Sequence, residues 1–430
     1  MDHLVVLTEI GDDRRLEEIP GVADSVAAGP ELFGIPIPFI FFAVTLLGVA
    51  VFHHQTMRVA LVGLFVITAY KLIFSSFEGV PGFEGLLLHV DREWVTLGNL
   101  FGLLMGFALL ANHFEQSRIP EFLPALLPDD WHGGLVLLIA VFFLSTFLDN
   151  IAAAIIGGSM ASAVFRGKVH IGYLAAIVAA SNAGGAGSVV GDTTTSMMWI
   201  EGVSPLVVGR AFLPAFVALA VFGIPAAIQQ QKLSPIIKDP PEGLRLDWHR
   251  VAVVMVVVSA LIGTNVFVNA AFHQYSSKFP FLGAAVWVAL ILTAVWRKPD
   301  WSLLPNAARG SIFLLSLVTC ASMMPVESLP IASWHTTAGL GFVSAVFDNI
   351  PLTKLALEQG GYDWGALAFA VGFGGSMIWF GSSAGVALAT KFPEAKSVVD
   401  WLRYGWYVPL GYLAGLAAYL LILGWHPTPG

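Results

Sequence analysis

Long apolar segments alternate with short polar ones along most of the chain. Eight uninterrupted apolar runs are each long enough for a membrane helix, which needs about 20 apolar residues, or somewhat fewer in a shorter or tilted span. These runs cover residues 34–52, 58–75, 94–111, 205–228, 251–272, 280–296, 303–324 and 404–424. The pattern predicts an all-α polytopic membrane protein.

Four further apolar segments are interrupted near their centres. Segments 132–164 and 334–358 each carry an Asp-Asn-Ile triplet, and segments 171–201 and 363–390 carry glycine-rich breaks. Irregular backbone at membrane depth is tolerated only where protein buries it or where it lines a wet cavity. Interruptions at corresponding places in two halves of a chain indicate a transporter binding site. We therefore expect the first pair to be re-entrant hairpins and the second pair to be broken helices.

The interrupted segments of the two halves align with each other. The matching pairs are Asp149-Asn150-Ile151 with Asp348-Asn349-Ile350, Gly184-Gly185 with Gly374-Gly375, and Gly191-Asp192 with Gly381-Ser382. The alignment predicts two repeats of five spans, 31–229 and 251–430, joined by a polar cytoplasmic linker at 230–250. Because five is an odd number, the second repeat enters the membrane in the opposite sense, so the repeats are inverted.

Composition also favours a membrane protein. Of the 430 residues, 57% are hydrophobic and only 12% are charged, whereas about 25% of a soluble domain is charged. The net charge of −8 argues against nucleic acid as a partner, and the single Cys320 allows no disulfide within the chain. Residues 1–30 are polar and acidic and lack the features of a cleavable signal peptide, so we expect an extramembrane segment.

The distribution of lysine and arginine predicts the orientation in the membrane. When the N-terminus is set outside, inside loops contain 14 of the 21 basic residues, including Arg58 and Arg309, and outside loops contain five, including Arg92. Both termini are then predicted on the outer face of a bacterial inner membrane. The first hairpin would enter from the cytoplasm and the second from outside.

Asp149 and Asp348 are predicted at the hairpin tips, where the second arm begins. A charged residue at the centre of a membrane helix costs about 2.5–3.5 kcal/mol on insertion scales. A tip lowers this cost because it faces a cavity and because the free N–H groups of the next half-helix attract an anion. Capping of that half-helix is one interpretation of these aspartates. Binding of a transported ion is the other, and the recurrence of Asp-Asn in both halves favours it.

The glycine-rich breaks offer further ligands. Asp192 would cap the second half of the first broken helix, with Thr193 beside it, while Ser181 and Asn182 lie at the carbonyl end of the first half. Carbonyl and amide oxygens suit a small hard cation such as Na⁺, and glycine lets backbone approach a ligand closely. The candidate substrate- and ion-binding residues are Asp149, Asn150, Ser181, Asn182, Asp192, Thr193, Asp348, Asn349, Ser382 and Ser383.

The charges predicted near the membrane midplane favour a cation. Asp149, Asp192 and Asp348 face a single amine, Lys354, which could either neutralise one carboxylate or contact an anion. Burial generally brings carboxyl groups into proton exchange near neutral pH, so Na⁺ and H⁺ would compete for one site. No nucleotide-binding motif or convincing catalytic constellation is present. We therefore expect an ion-driven transporter with no resident cofactor and no structural metal, rather than an enzyme or a channel.

Three motifs carry a resemblance to a known family. "FDNIPLT" (347–353), "SNAGGAGSVVGDTTT" (181–195) and "GSSAGVA" (381–387) resemble the D-type bacterial sodium/proton antiporters of the ion transporter superfamily, and also citrate transporter-like proteins. The resemblance covers nearly all of the chain after residue 30. It implies a scaffold domain, a mobile domain that carries the hairpins, a homodimer with elevator-like movement, and an ion site at the candidate residues above.

One departure from the family pattern leaves two functions open. After Asp149-Asn150 the chain continues with Ile151 and three alanines, 152–154, where the D-type antiporters carry hydroxyl residues. The main hypothesis is a Na⁺/H⁺ antiporter, with Na⁺ held by Asp149, Asn150, Asp192, Asp348 and Asn349. The alternative is a Na⁺- or H⁺-coupled carrier of an anion such as citrate or a dicarboxylate. The expected partners are the lipid bilayer, small ions or a small anion, and a second copy of the chain.

Overall fold

The structure is a computed structural model that describes residues 30–52, 55–77, 79–122, 127–236, 245–271, 275 and 278–427. The predicted segment 1–30 therefore lies outside the described residues except for Pro30, and so does the centre of the linker, 237–244. Within the described chain, strands occur only as two antiparallel pairs of two residues each. They are Glu31–Leu32 with Ile35–Pro36, and Ser76–Phe77 with Val80–Pro81.

The described residues of the first half of the chain form eight main helices. They are α1 (Ile37–Val51), α2 (Thr56–Phe74), α3 (Gly82–Gln116), α4 (Trp131–Ser145), α5 (Asn150–Val164), α6 (Ile171–Ala186), α7 (Thr193–Ile200) and α8 (Phe212–Leu233). Single turns of helix lie at Ile119–Phe122 and Pro205–Val208, and a 3₁₀ turn at Gly209–Ala211 leads into α8. The segments 132–164 and 171–201 are thus each two helices with a non-helical break.

In the second half, nine main helices lie within the ranges that the structure describes. They are α9 (Trp248–Ala271), α10 (Phe281–Thr293), α11 (Leu304–Ser322), α12 (Trp334–Ser344), α13 (Asn349–Gln359), α14 (Trp364–Gly374), α15 (Ser383–Lys391), α16 (Val398–Tyr404) and α17 (Tyr407–Ile422). Short 3₁₀ turns lie at Trp301–Leu303, Val326–Ser328 and Pro393–Lys396. The pairs α12–α13 and α14–α15 have the same order of helices and breaks as α4–α5 and α6–α7.

The described chain has the helices of a polytopic membrane protein. Five helical segments are long and apolar enough to cross a bilayer, and a sixth is the α16–α17 pair, which bends by 59° at its break. The five are Thr56–Phe74, Gly82–Gln116, Pro205–Leu233, Trp248–Val268 and Trp301–Ser322. The arms of both hairpins are shorter than a full span, as a re-entrant segment requires.

Burial divides the helices into an inner and an outer group. Every residue of α14 is buried, as is every residue of α6 from Gly172 to Ala186. By contrast, large apolar side chains stand at the periphery, where Val295 is 87% and Leu421 is 86% exposed. Exposed apolar surface on this scale suits contact with lipid. The two broken helices therefore lie at the centre of the molecule.

Helix α3 is longer than the sequence pattern predicted. The predicted run began at residue 94, but the helix begins at Gly82 and continues to Gln116. Its first turns were not recognised because charged residues interrupt the apolar pattern there. Buried positions at helical spacing, Gly85, His89 and Glu93, show that this part of α3 also packs inside the protein.

Candidate ion-binding site

Each hairpin tip is a short turn that ends in the cap of a helix. Asp149 is the N-cap of α5 and Asp348 is the N-cap of α13, with nearly the same backbone angles, φ −51° and ψ 142° against φ −54° and ψ 140°. The Oδ1 of Asp348 accepts a hydrogen bond from the Ile350 N–H at 3.1 Å. Asp149 makes no capping bond of this geometry, although its carboxyl interacts with the backbone N–H groups of Asn150 and Ile151. Both tip aspartates therefore face the start of a half-helix, and only Asp348 forms the regular cap.

Glycines let each tip approach the neighbouring broken helix. A β-carbon on Gly184 would overlap the carbonyl oxygen of Phe142, and one on Gly374 would overlap that of Gly341. Because Phe142 and Gly341 both precede their tip aspartate by seven residues, the same contact occurs in both halves. Only glycine leaves room for backbone at this distance.

Asn182 connects the first tip with the second broken helix. Its Oδ1 accepts a hydrogen bond from Asn150 Nδ2 at 3.0 Å, and its own Nδ2 donates to Ser376 Oγ at 2.9 Å and to Ser382 Oγ at 3.1 Å. Asn182 itself is fully buried. Since buried polar groups are costly when unpaired, this network fixes four segments relative to one another.

Asn349 makes the corresponding connection from the second tip. Its Nδ2 donates to Asp192 Oδ2 at 3.3 Å, while the other oxygen of Asp192 caps α7 by accepting from the Thr194 N–H at 3.2 Å. Asn349 and Asp192 are both buried. The second tip is thereby bonded directly to the first broken helix.

The three aspartates share one region of the protein. Asp149 interacts electrostatically with Asp192 and with Asp348, and Ser383 Oγ donates to Asp348 Oδ2 at 2.9 Å. Among the described residues, no lysine or arginine is paired with any of the three carboxylates. The site therefore carries acceptor oxygens and uncompensated negative charge, which suits a small cation or protons.

The remaining predicted residues have smaller roles in this geometry. The Oγ of Ser382, besides its bond with Asn182, caps α15 by accepting from the Gly385 N–H at 3.3 Å. The Oγ of Ser181 donates to the Val178 carbonyl of its own helix at 2.9 Å. Thr193 is half-buried at the first position of α7. Ser181 is therefore near the network but turned back onto α6.

A cavity reaches the second tip. Asp348 and Ser383 line a space of about 290 Å³ together with Ile151 and otherwise mainly apolar residues. A second, polar pocket of about 450 Å³ contains Arg58 and Arg309. The two spaces share lining residues, namely Thr56, Gly310 and Phe313. Asp348 therefore lines a cavity whose wall is shared in part with the polar pocket that contains the two arginines.

Lys354 does not compensate the aspartates, and the prediction that it neutralises one of them is wrong. Its Nζ lies 2.7 Å from Glu358 Oε1, 2.9 Å from Glu93 Oε2 and 3.3 Å from Glu201 Oε1. The sequence pattern did not single out these glutamates. Glu93 lies one residue before the apolar run that begins at residue 94. Its spacing of four residues from His89 and eight from Gly85 is that of the buried face of a longer helix.

Ser376, which lies in the second break and accepts a hydrogen bond from Asn182, is not among the predicted site residues. Its position directly after Gly374-Gly375 is the signal that could have identified it. Within the described part of the chain, no group of three or more His, Cys, Asp or Glu residues has the arrangement of a metal site. A transported Na⁺ would therefore draw some ligands from amide, hydroxyl or carbonyl oxygens.

Comparison with known proteins identifies relatives of this chain, although no family model matches it. Sodium/proton antiporter 1 of Arabidopsis thaliana is 29% identical over 373 residues, 77% of this chain and 61% of the relative, so the match spans less than two thirds of that protein. The Na⁺/H⁺ antiporter NhaD of Alkalimonas amylolytica is 24% identical over 420 residues, covering 86% of this chain and 79% of the relative. NhaD of Vibrio cholerae is 26% identical over 328 residues, covering 65% and 68%. The resemblance to the D-type sodium/proton antiporters predicted from the three motifs is thus confirmed.

Proposed function

We propose that this chain is a secondary active transporter that exchanges Na⁺, or another monovalent cation, for H⁺. The observation that carries the proposal is that Asp149, Asp192 and Asp348, each at the start of a half-helix, interact electrostatically with one another and have no paired lysine or arginine among the described residues. The names of its relatives from Arabidopsis and from bacteria support the same function.

The proposed exchange follows from the cost of charge inside a membrane. The empty site carries uncompensated negative charge, and moving it across the bilayer is unfavourable. Binding of Na⁺ reduces this charge, and binding of protons does the same. The site can therefore cross the membrane with either ion bound, and exchange results when it crosses with Na⁺ in one direction and with H⁺ in the other. Asn150, Asn182 and Asn349 would orient oxygen ligands around the cation.

The alternating movement is proposed to rest on an inverted repeat. Under the alignment of the two halves, Asp192 corresponds to Ser382 and Asn182 to Gly372. The long Asp192 meets Asn349 directly, and a β-carbon on Gly372 would lie 3.5 Å from Asp192 Oδ2. The shorter Ser382 is reached from Asn150 only through Asn182. In each half, the tip asparagine is thus connected to the break of the opposite half, either directly through the longer Asp192 or through Asn182 to the shorter Ser382. This equivalence supports the descent of the two halves from one repeated unit.

The hairpins and broken helices would form the mobile domain, and α1, α2, α3 and α9–α11 the scaffold. The cavity beside Asp348 lies where the second tip and α15 meet α1, α2 and α11, so it would be the opening of the site to one side of the membrane. By the distribution of basic residues this is the cytoplasmic side. We further infer a bacterial inner membrane location, both termini outside, a homodimer and no enzymatic activity or resident cofactor.

Purified protein in liposomes that contain a pH-sensitive dye tests the function directly. With an imposed proton gradient, addition of Na⁺ or Li⁺ should change the internal pH, and K⁺ serves as a comparison cation. Liposomes without protein measure leakage. If no cation moves protons at any pH from about 6 to 9, where carboxyl groups buried in proteins can titrate, the antiport proposal is wrong.

A coupled anion carrier is the second candidate. The observation in its favour is the polar pocket with Arg58 and Arg309, which shares lining residues with the cavity beside Asp348, because arginines attract carboxylates. Uptake of labelled citrate or succinate into the same liposomes, driven by Na⁺ or H⁺, would support this candidate. Uptake equal to that of protein-free liposomes would exclude these anions as substrates.

A further inference from the structure

A group of charges around the buried side chains of Lys354 and Glu93 lies outside the proposed ion site. The Lys354 side chain is 2% exposed and the Glu93 side chain 4%. Glu358 binds Lys354 through one carboxylate oxygen and Arg92 Nη2, at 2.6 Å, through the other. Glu201 completes the group and also accepts from Thr96 Oγ1 at 3.1 Å. This charge cluster, defined as Arg92, Glu93, Glu201, Lys354 and Glu358, contains three carboxylates and two basic groups.

The charge cluster connects three helices. Arg92 and Glu93 belong to α3, Glu201 is the C-cap of α7, and Lys354 and Glu358 lie on α13. Both α7 and α13 begin at aspartates of the ion site. The eight residues of α7 span about 12 Å, so the cluster is at the far end of the half-helix from Asp192.

The two half-helices are bonded to each other at both ends. Near the ion site, Asn349 of α13 donates to Asp192, and at the far end Lys354 of α13 binds Glu201. The two helices therefore run side by side with their N-terminal ends at the site. Lys354 also binds Glu93 and so attaches both half-helices to α3.

Lys354 is the group that allows these carboxylates to come together. Glu201 stands at the negative end of the α7 dipole, which is an unfavourable position for a carboxylate. Glu93 and Glu358 would repel it and each other without a central cation, and Glu93 has little access to water. Removal of the amine would therefore separate the helices that carry the carboxylates.

We propose that Lys354 is a positioning residue for the ion site: it fixes the spacing of the half-helices that begin at Asp192 and Asp348 and holds them on α3. The proposal rests on the proposed cation exchange. In enzymes, a misplacement of about 1 Å in the reacting groups can cost about 100-fold in rate, and we expect an ion site built from several helices to be sensitive to spacing in the same way. Lys354→Met should therefore raise the Na⁺ concentration for half-maximal exchange by about tenfold or more.

The variants separate positioning from general stability. Lys71→Met is the matched control, since Lys71 is also a buried lysine, located on α2, and its Nζ donates to the Met323 carbonyl at 2.7 Å. Lys354→Arg keeps the charge and should bind Na⁺ more tightly than Lys354→Met. Glu93→Gln combined with Lys354→Met returns the cluster to its original net charge and should recover part of the affinity.

The measurement is Na⁺-dependent proton exchange in liposomes, with half-saturation and maximal rate determined separately, together with the Na⁺-dependent shift of the unfolding temperature in detergent. A raised half-saturation in Lys354→Met but not in Lys71→Met supports the inference. Unchanged half-saturation in Lys354→Met, or an equal rise in Lys71→Met, overturns it while leaving the exchange function intact. A wild-type protein that responds to no cation in either assay overturns the proposed function and this inference with it.

Discussion

Asn349 Nδ2 donates a hydrogen bond to Asp192 Oδ2 at 3.3 Å, so the tip of the second hairpin is bonded to the break of the first broken helix. Both residues are buried. The bond ties the orientation of a site carboxylate to the position of the opposite hairpin. Binding of an ion or a proton at Asp192 would therefore alter the hydrogen bond to the second tip. A coupled transporter requires a connection of this kind between its binding groups and its moving parts.

Loss of a single site carboxylate should abolish exchange. In Asp149→Asn the side-chain shape is kept, but the charge that binds Na⁺ or H⁺ is removed, so we expect the rate of cation-dependent proton exchange to fall at least about 100-fold. Asp348→Asn should have the same effect. Asp130→Asn is the control, because Asp130 also caps a helix, α4, but is exposed and outside the site. If Asp149→Asn and Asp348→Asn both exchange ions at the wild-type rate, the two aspartates do not bind the transported ion and have only a structural role.

Asp192→Ser separates the two functions of Asp192. Serine caps helices about as well as aspartate, and Ser382 already does so at the corresponding place in the second half. The variant keeps the cap but leaves the buried Asn349 Nδ2 without its acceptor, so its free energy of unfolding should fall by about 1–3 kcal/mol. Exchange should be lost because the carboxylate is absent. Thermal unfolding and liposome assays on the same preparation measure both. Retained exchange would show that capping is its only role.

The local features of the site were predictable from sequence, and their partners were not. Asp149, Asp348 and the double glycines stand out because each interrupts an apolar pattern. The backbone is non-helical at 146–149 and 345–348, which end at the two aspartates, and at 187–192 and 375–382, which begin at the second glycine of a pair or shortly after it. The pairing of Lys354 with Glu93 and Glu201 depends on how distant helices pack, which no local pattern contains. For the same reason, the position of Asn182 indicated a ligand but not its bonds to Ser376 and Ser382.

Asn182 should contribute to stability as well as to the site. In Asn182→Ala, the buried Asn150 loses its acceptor and the hydroxyls of Ser376 and Ser382 lose their donor. An unsatisfied buried group costs about 1–3 kcal/mol, so the unfolding temperature should fall clearly. Ser181→Ala is the adjacent control, since the Ser181 hydroxyl donates to the Val178 carbonyl of its own helix, and it should lose much less. Equal losses in the two variants would argue against a network centred on Asn182.

Gly184 and Gly374, which pack against the first arm of each hairpin, should tolerate no side chain. Gly184→Ala and Gly374→Ala each place a methyl group against a backbone carbonyl, of Phe142 and Gly341 respectively, which cannot rotate away. Overpacking of this kind costs about 1–3 kcal/mol or more, and the tip must also shift. Gly339→Ala is the control, because a β-carbon there meets nothing within 4 Å. Yield of folded protein and its unfolding temperature should be near wild type for the control and reduced for both tip variants.

The route to Asp348 should be open to small reagents from the face that bears Arg58 and Arg309. Thr56 and Gly310 line both the polar pocket and the cavity beside Asp348, so a charged thiol reagent should label Thr56→Cys or Gly310→Cys and block exchange. The background is low, since the natural Cys320 is buried. Ser328→Cys is an exposed control that should be labelled without inhibition. Addition of Na⁺ should change the labelling rate of Thr56→Cys if cation binding alters the opening of the site. Reagent applied to only one side of oriented vesicles identifies the membrane face from which Thr56→Cys is reached. Labelling that never affects exchange would mean that ions reach Asp348 by another path.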